Sequence, residues 1–140
     1  IFFGMKIDGV YEHYGHKKTR LRYHIILVTK YRRKCLDGIK DNVFESFRYV
    51  EQNSDIKIHY MNLDKDHIHL MISFPPNYSL SQAINRLKQG TLNYLYKYNN
   101  DYLRRYYWSK KRKLWSDSFF ASTVGMISES KVHDYIKNQG

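Results

Sequence analysis

The stretch covering residues 56–74 constrains the fold of this chain more than any other. IKIHYMNL (56–63) alternates apolar and polar residues, and so does HIHLMISF (67–74), which is typical of β-strands. The tripeptide DKD (64–66) separates the two patterns, and so short a linker leaves room for a tight turn alone. The sequence therefore predicts an antiparallel hairpin in the middle of the chain.

The segments around this hairpin complete a known order of elements. Apolar and β-branched residues predict a strand over 21–30, and apolar residues at helical spacing predict a helix over 38–52. A second helix is predicted from a Ser79 cap toward Asn99, a fourth strand over 117–124 and a short last helix over 128–139. The predicted fold class is α+β: a ferredoxin-like β-α-β-β-α-β antiparallel sheet, with helices on one face, the other face free, and an additional C-terminal helix.

The chain length fits one domain. Among the 140 residues, we expect residues 1–20 to be an N-terminal extension, in part a cloning remnant, and residues 21–140 to be the single domain. The lone cysteine, Cys35, excludes an internal disulfide. Neither a long apolar run nor a signal peptide is apparent, so the sequence predicts a cytoplasmic protein without a membrane partner.

The charge of the chain is strongly positive and unevenly distributed. The net charge is +11; Lys17–Lys34 contains eight basic residues and Arg104–Lys113 contains six, neither with an acid. Aromatic residues lie between these cations, and aromatic rings stack on unpaired bases, so the pattern favours nucleic acid as a partner over a merely solvated surface. The candidate DNA-binding residues are Arg32, Arg33, Arg112 and Lys113.

Two histidines stand one residue apart in the third predicted strand. Side chains two apart in a strand share a face, about 7 Å apart at the backbone, so His67 and His69 could bind one metal ion. They could equally be polar positions on a half-exposed sheet. Because two imidazoles do not fill a coordination sphere, a metal site would need a further ligand from elsewhere.

The last predicted helix offers two further groups. Tyr135 and Gln139 are four residues apart and share a helical face. A phenol can attack a phosphate activated by a metal, and an amide oxygen can serve as a ligand. With fourteen tyrosines in the chain, Tyr135 could also be an ordinary core or surface residue.

Four blocks together carry a family resemblance: YHIILVTKYRRK (23–34), DKDHIHLMIS (64–73), LWSDSFFASTVG (114–125) and VHDYIKNQ (132–139). Their order and spacing resemble the HUH single-tyrosine transposases of single-stranded-DNA insertion sequences. The likeness extends over most of the chain, and four separated blocks are far more specific than one histidine pair.

This resemblance implies roles for individual residues. His67 and His69 match the metal-binding pair, Gln139 matches a further metal ligand, and Tyr135 matches the catalytic nucleophile, while Asp64 falls at an acidic position that could support the site. The implied cofactor is a divalent metal, Mg²⁺ or Mn²⁺. The implied enzyme is a prokaryotic single-strand DNA endonuclease and strand transferase, associated with the nucleoid when it acts.

The resemblance also implies partners. The family's enzymes are homodimers that share sites between subunits, bind DNA hairpins, and leave a 5′-phosphotyrosine and a free 3′-hydroxyl. One alternative keeps this chemistry in a nicking protein of replication or conjugation, or in a domesticated palindrome-binding relative. Another is a non-catalytic RNA-binding module, which predicts aromatic residues rather than histidines on the open sheet face.

Overall fold

The structure, a computed structural model, describes residues 21–124. Its elements are β1 (Arg22–Thr29), α1 (Lys40–Gln52), β2 (Lys57–Leu63), β3 (His67–Ser73), α2 (Leu80–Arg104) and β4 (Trp115–Thr123). Short 3₁₀ turns cover Lys30–Arg32 and Asp37–Ile39. The predicted order of strands and helices is therefore confirmed over this range, whereas the predicted helix over 128–139 lies outside the described residues.

The four strands form one sheet in the order β2-β3-β1-β4, and all neighbouring pairs are antiparallel. This is the arrangement of the ferredoxin-like motif, and it confirms the predicted α+β class. The two central strands are β1 and β3. Ile26 of β1 lies opposite His69 of β3 on one side and opposite Phe120 of β4 on the other, so these three side chains share a face.

One hydrophobic core joins the sheet to the two helices. Alternate residues of β3 enter it, since Ile68, Leu70 and Ile72 are fully buried while the residues between them are less so. The larger core side chains include Ile25, Leu27, Phe47, Ile68, Leu70, Ile72, Leu87 and Leu95. The alternation places one face of β3 in the core and leaves the opposite face for polar groups.

The helices α1 and α2 approach each other closely at Gly90. A Cβ atom on Gly90 would lie 2.5 Å from Cγ2 of Val50, which is closer than real carbon contacts. Glycine is therefore required by packing at this place in the middle of α2, although it weakens a helix intrinsically. The close contact fixes the separation of the two helices over the sheet.

Helix α2 begins where the sequence predicted and extends further. The Ser79 hydroxyl accepts from the Gln82 amide and the Gln82 side chain accepts from the Ser79 amide, which forms a capping box. The predicted end at Asn99 coincides with a kink, where φ is −133° and ψ is 32°. The helix continues beyond it because Leu103, one turn further on, is fully buried.

The sheet face away from the helices is less open than predicted. Ile26, Val28 and Phe120 lie on it, and at most 5% of each is exposed. The expectation of a free face is therefore wrong at its centre. The sequence of β1 explains this burial, because its run IILV does not alternate apolar and polar residues, and such a strand is typically buried on both faces. Within residues 21–124, no helix is both long and apolar enough to cross a membrane.

Candidate active site

The predicted histidine pair lies on one face of β3. His67 and His69 are both half-buried and alternate with Ile68 and Leu70, which belong to the core. The central position of β3 in the sheet fixes both backbones, since β1 pairs with it on one side and β2 on the other. Both imidazoles therefore project from rigid elements on the face opposite the helices.

His67 is held by a carboxylate that is itself held by an arginine. Asp66 Oδ1 lies 3.0 Å from His67 Nδ1, and Asp66 Oδ2 accepts a hydrogen bond of 2.8 Å from Arg32 Nε. The side chain of Asp66 is 10% exposed. If Nδ1 carries the proton, it donates to Asp66 and leaves Nε2 as the atom that can bind a metal, which is how carboxylates orient histidine ligands in many metal sites.

The Asp66 carboxylate is kept ionised by these contacts. Burial alone would raise the pKa of Asp66, but the hydrogen bonds from His67 and Arg32, together with the charge of Arg32, outweigh burial and lower the pKa below its ordinary value. A carboxylate that stays charged stabilises a proton on Nδ1 of His67. The three side chains therefore act as one positioning network.

An unusual turn after β1 brings Arg32 to this network. Tyr31 and Arg32 have φ values of 60° and 55°, in the left-handed region that residues other than glycine rarely adopt. The turn is held by Thr29, whose amide donates to the Asp66 carbonyl at 2.9 Å and whose hydroxyl donates to the Arg33 carbonyl at 2.8 Å. Such conformations concentrate at functional sites.

His69 has an imidazole neighbour that the sequence reasoning missed. His24 Nδ1 lies 3.1 Å from His69 Nε2, and the edge of the Tyr60 ring meets the His69 ring at 5.6 Å between centroids. His24 is on β1, one residue before the apolar run. Its position directly before the apolar run 25–28 was a signal, but the link to His69 follows from the register of β1 against β3.

The described residues contain the predicted pair of metal ligands but no complete metal-binding cluster. Between residues 21 and 124, no group of three or more His, Cys, Asp or Glu side chains could hold a metal ion. The His67 and His69 imidazoles are donors that suit a divalent cation, and a further ligand must then come from outside this range or from another residue type. The predicted ligand Gln139 and the predicted nucleophile Tyr135 lie outside the described residues.

Asp64, the predicted supporting acid, lies in the turn of the hairpin. Its Oδ1 accepts from the Lys65 amide at 2.7 Å, and its own amide donates to the His67 carbonyl at 2.9 Å. These contacts close the turn, while Asp66 is the acid whose carboxylate contacts His67. The role of Asp64 in the chemistry stays a prediction.

The four predicted DNA-binding residues lie in two segments, Arg32 and Arg33 after β1 and Arg112 and Lys113 before β4. Arg32 binds Asp66 within the site, whereas Arg33 lies over the rings of Tyr31 and Trp108 at 5.3 and 4.9 Å. The remaining two are nearer the start of β4: Arg112 donates to Asn93 Oδ1 at 2.6 Å and Lys113 donates to Tyr31 Oη at 3.4 Å. Tyr31 and Trp108 are 61% and 74% exposed, so a large part of each side chain is open to solvent.

The chain has a ferredoxin-like fold with a histidine pair on the central strand β3. Basic and aromatic residues, among them Arg33, Tyr31 and Trp108, lie together beyond the end of β1. A family model described as "Transposase IS200 like" matches residues 17–139. The chain belongs to this transposase family. The predicted enzyme class is thereby confirmed, and the alternative of a non-catalytic RNA-binding module is not supported.

Individual relatives agree with this assignment. The chain is 30% identical over 126 residues to the transposase for insertion sequence element IS200 from Salmonella typhimurium, covering 89% of this chain and 80% of the relative. It is 25% identical over 121 residues to the ISDra2 transposase TnpA from Deinococcus radiodurans, covering 86% and 84%.

Solved structures share the fold. A crystal structure from Deinococcus radiodurans R1, described as that of a transposase, superposes with a TM-score of 0.75 at 24% identity and covers 86% of this chain and 92% of that one. A REP-associated tyrosine transposase bound to a REP hairpin superposes with a TM-score of 0.51 at 12% identity, covering 84% and 62%. At these identities the likeness shows the fold.

Proposed function

We propose that this chain is a metal-dependent transposase that binds DNA hairpins and cleaves and rejoins single-stranded DNA through a 5′-phosphotyrosine intermediate. The observation that carries the proposal is the Asp66-oriented imidazole of His67 on the same face as His69, in a chain of the IS200-like family. An imidazole oriented by a carboxylate, next to a second imidazole on the same face, can hold a metal ion that activates a phosphodiester.

His67 and His69 would hold Mg²⁺ or Mn²⁺, with Gln139 as a further ligand. The bound ion would supply Lewis acidity at the scissile phosphate. Asp66 keeps the ring of His67 in one orientation, and Arg32 keeps Asp66 in place and charged. Asp66 and Arg32 therefore hold the His67 ring in a fixed orientation, so less conformational entropy is lost at this side chain when DNA binds.

Tyr135 would be the nucleophile. Its phenol oxygen loses a proton and attacks phosphorus, the bond to the 3′-oxygen breaks, and the 3′-oxygen takes up a proton. The product is a phosphodiester between Tyr135 and the 5′ end of one fragment, with a free 3′-hydroxyl on the other fragment of the cut strand. Because a phosphodiester is conserved, attack by a 3′-hydroxyl reverses the step and joins strands without ATP.

The expected DNA partner is a hairpin with a single-stranded flank. The net charge of +11 and the exposed aromatic rings suit a polyanion with unpaired bases. A protein of the same fold was solved bound to a REP hairpin, which supports the same kind of partner here. We further propose a cytoplasmic homodimer in which the tyrosine helix of one subunit serves a site shared with the other.

A covalent adduct tests the proposal. A hairpin oligonucleotide labelled on the 3′ side of the cleavage point, incubated with the chain and Mn²⁺, should yield a labelled protein band that resists denaturing electrophoresis. Tyr135→Phe should abolish this band, while Tyr98→Phe, which alters an exposed tyrosine on α2, should retain it. Cleavage by Tyr135→Phe at the normal rate would refute the phosphotyrosine mechanism.

A further inference from the structure

A basic cavity lies between α2 and the start of β4. Its volume is about 590 Å³, which is within the range of small-ligand sites and large enough for one nucleotide. The cationic residues that line it are Lys30, Lys88, Arg112 and Lys113. Among its described lining residues, Asp117 is the single acid. The cavity therefore has an excess of positive charge on a concave surface, which favours an anionic ligand.

Lys88 is a partly buried cation of this cavity. Its ammonium group donates to the Ser116 carbonyl at 2.8 Å and lies 5.6 Å from the centre of the Phe119 ring. Burial lowers its pKa, with Asp117 opposing and Lys30 adding to that effect. A cation that has lost part of its hydration and faces a carbonyl and a ring gains more from a phosphate than an exposed lysine does.

The one carboxylate at the cavity neutralises its positive charge only in part. Asp117 Oδ2 lies 3.4 Å from Lys30 Nζ, and the side chain of Asp117 is 96% exposed. An ion pair so open to water is weak and easily exchanged. The positive charges of Lys88, Arg112 and Lys113 therefore remain available to a ligand.

An exposed aromatic ring borders the cavity. Tyr31 is 61% exposed and has three cations around its ring, with Lys30, Arg33 and Lys113 at 5.7, 5.3 and 5.5 Å from the centroid. Its backbone is in the left-handed region, at φ 60°. A ring held outward beside a basic cavity is the combination that binds single strands, because the cations take the phosphate and the ring takes an unpaired base.

The cavity and the histidine pair lie at the same end of the sheet. Lys30, which lines the cavity, directly follows Thr29, the last residue of β1. Thr29 pairs with Trp115 at the start of β4, and the Thr29 amide donates to the Asp66 carbonyl. Asp66 in turn contacts His67. A strand that occupied both places would cross the turn over Lys30–Arg32, so the two sites are connected by one short segment of the protein.

From this arrangement we infer that the cavity is a subsite for single-stranded DNA, separate from the cleavage site. Lys30, Lys88 and Lys113 hold one backbone phosphate there, and Tyr31 stacks on the adjacent unpaired base. The inference rests on the proposed function for the identity of the polyanion. It commits to the single strand rather than to the duplex stem, because an exposed stacking ring serves a base that has no partner.

Binding without cleavage tests this subsite. Fluorescence anisotropy with a short unstructured oligonucleotide, in EDTA and over a series of salt concentrations, reports affinity and the number of phosphate contacts. Lys88→Gln should weaken binding about tenfold and reduce the slope of log K against log salt by about 0.7. Lys97→Gln removes the same charge from an exposed position of α2 outside the cavity and should change neither quantity appreciably.

A second variant distinguishes loss of DNA contacts from loss of folding. Asp117→Asn removes the exposed acid and should strengthen binding of the same oligonucleotide, a result that a destabilised protein would not give. For the ring, Tyr31→Leu should weaken binding about tenfold, while Tyr98→Leu, also an exposed tyrosine, should not. Equal effects of Lys88→Gln and Lys97→Gln, or no gain with Asp117→Asn, would overturn the inference.

The outcome separates this subsite from the proposed function. Loss of affinity confined to a blunt hairpin stem, with the unstructured strand unaffected, would assign the cavity to duplex DNA and refute the inference. Normal adduct formation on Tyr135 with no effect of the cavity variants would retain the transposase and discard the subsite. The reverse pattern would retain the subsite and discard the phosphotyrosine mechanism.

Discussion

Asp66 Oδ1 lies 3.0 Å from Nδ1 of His67, the residue directly after it in the sequence. The carboxylate is nearly buried and is anchored on its other side by Arg32, 34 residues earlier. The first residue of β3 therefore has its imidazole oriented before any metal or DNA is present. The predictions below begin with this contact.

Asp66→Asn should weaken metal binding while retaining the fold. The amide has the shape of the carboxylate but lacks its charge, and loss of such outer contacts typically costs 10–100-fold in metal affinity. Isothermal titration with Mn²⁺ in the absence of DNA measures the effect. Asp64→Asn, which alters an acid of the same turn whose carboxylate accepts from the Lys65 amide, is the matched control. Equal affinities of the two variants would contradict a positioning role for Asp66.

His67→Ala should abolish cleavage and spare most hairpin binding. Cations on the surface supply the affinity for phosphates, whereas His67 would serve the metal. Gel-shift and cleavage assays on the same labelled hairpin separate the two effects. A loss of binding as large as the loss of cleavage would show that the imidazole contributes to DNA affinity directly.

Gly90→Ala should destabilise the protein by about 1–3 kcal/mol, despite the higher helix propensity of alanine. The added Cβ would lie 2.5 Å from Val50 Cγ2, so the two helices must separate or Val50 must move. Urea unfolding measures the change in free energy. Adding Val50→Ala should recover part of the loss, because it removes the clashing methyl group, and an additive double variant would contradict this packing account.

Stability should fall as the solution becomes alkaline. Burial raises the pKa of the Cys35 thiol to about 11 and raises the pKa of Tyr107 as well. Groups with a raised pKa in the folded state contribute stability that is complete below their unfolded pKa, and this contribution is lost as pH rises toward the folded value. For Cys35 the loss should extend from about pH 8.5 to about pH 11.

Cys35→Ala provides the control for the alkaline limb. Urea unfolding at pH 7 and pH 10 should show a smaller decrease in the variant than in the parent chain. In the parent at pH 8, the buried thiol should react with a disulfide reagent far more slowly than it does in denaturant, because little thiolate is present and access is closed. Rapid labelling of the native chain would contradict both the closed access to the Cys35 thiol and its raised pKa.

The sequence predicted the parts of the site that depend on local spacing. Alternation along β3 placed His67 and His69 on one face and Ile68 and Leu70 in the core, because side chains of any strand alternate. The partnership of Asp66 with Arg32, and that of His24 with His69, depends on which strands pair and in which register. Neither is encoded in neighbouring residues, and both were missed.

Other features have no clear sequence signal or remain predictions. The left-handed backbone at Tyr31 and Arg32 has no glycine or asparagine that would predict it. The hydrogen bonds that hold the turn include two to the distant Asp66, from the Thr29 amide and from Arg32 Nε. The buried outer face of the sheet did have a sequence signal, the unbroken apolar run of β1. The prediction of a free face followed the general motif and did not use this run. The roles of Tyr135 and Gln139 rest on the family resemblance and await the adduct experiment.

The alternation of β3 has a consequence for how the protein can fail. If the strand paired with β1 one residue out of register, both imidazoles would enter the interior and the isoleucines would turn to the outer face of the sheet. A misfolded form would therefore lose its hydrophobic contacts and its histidine pair together. Stable but inactive proteins should then arise from substitutions at residues 67 and 69, while those at residues 68 and 70 should reduce the amount of folded enzyme.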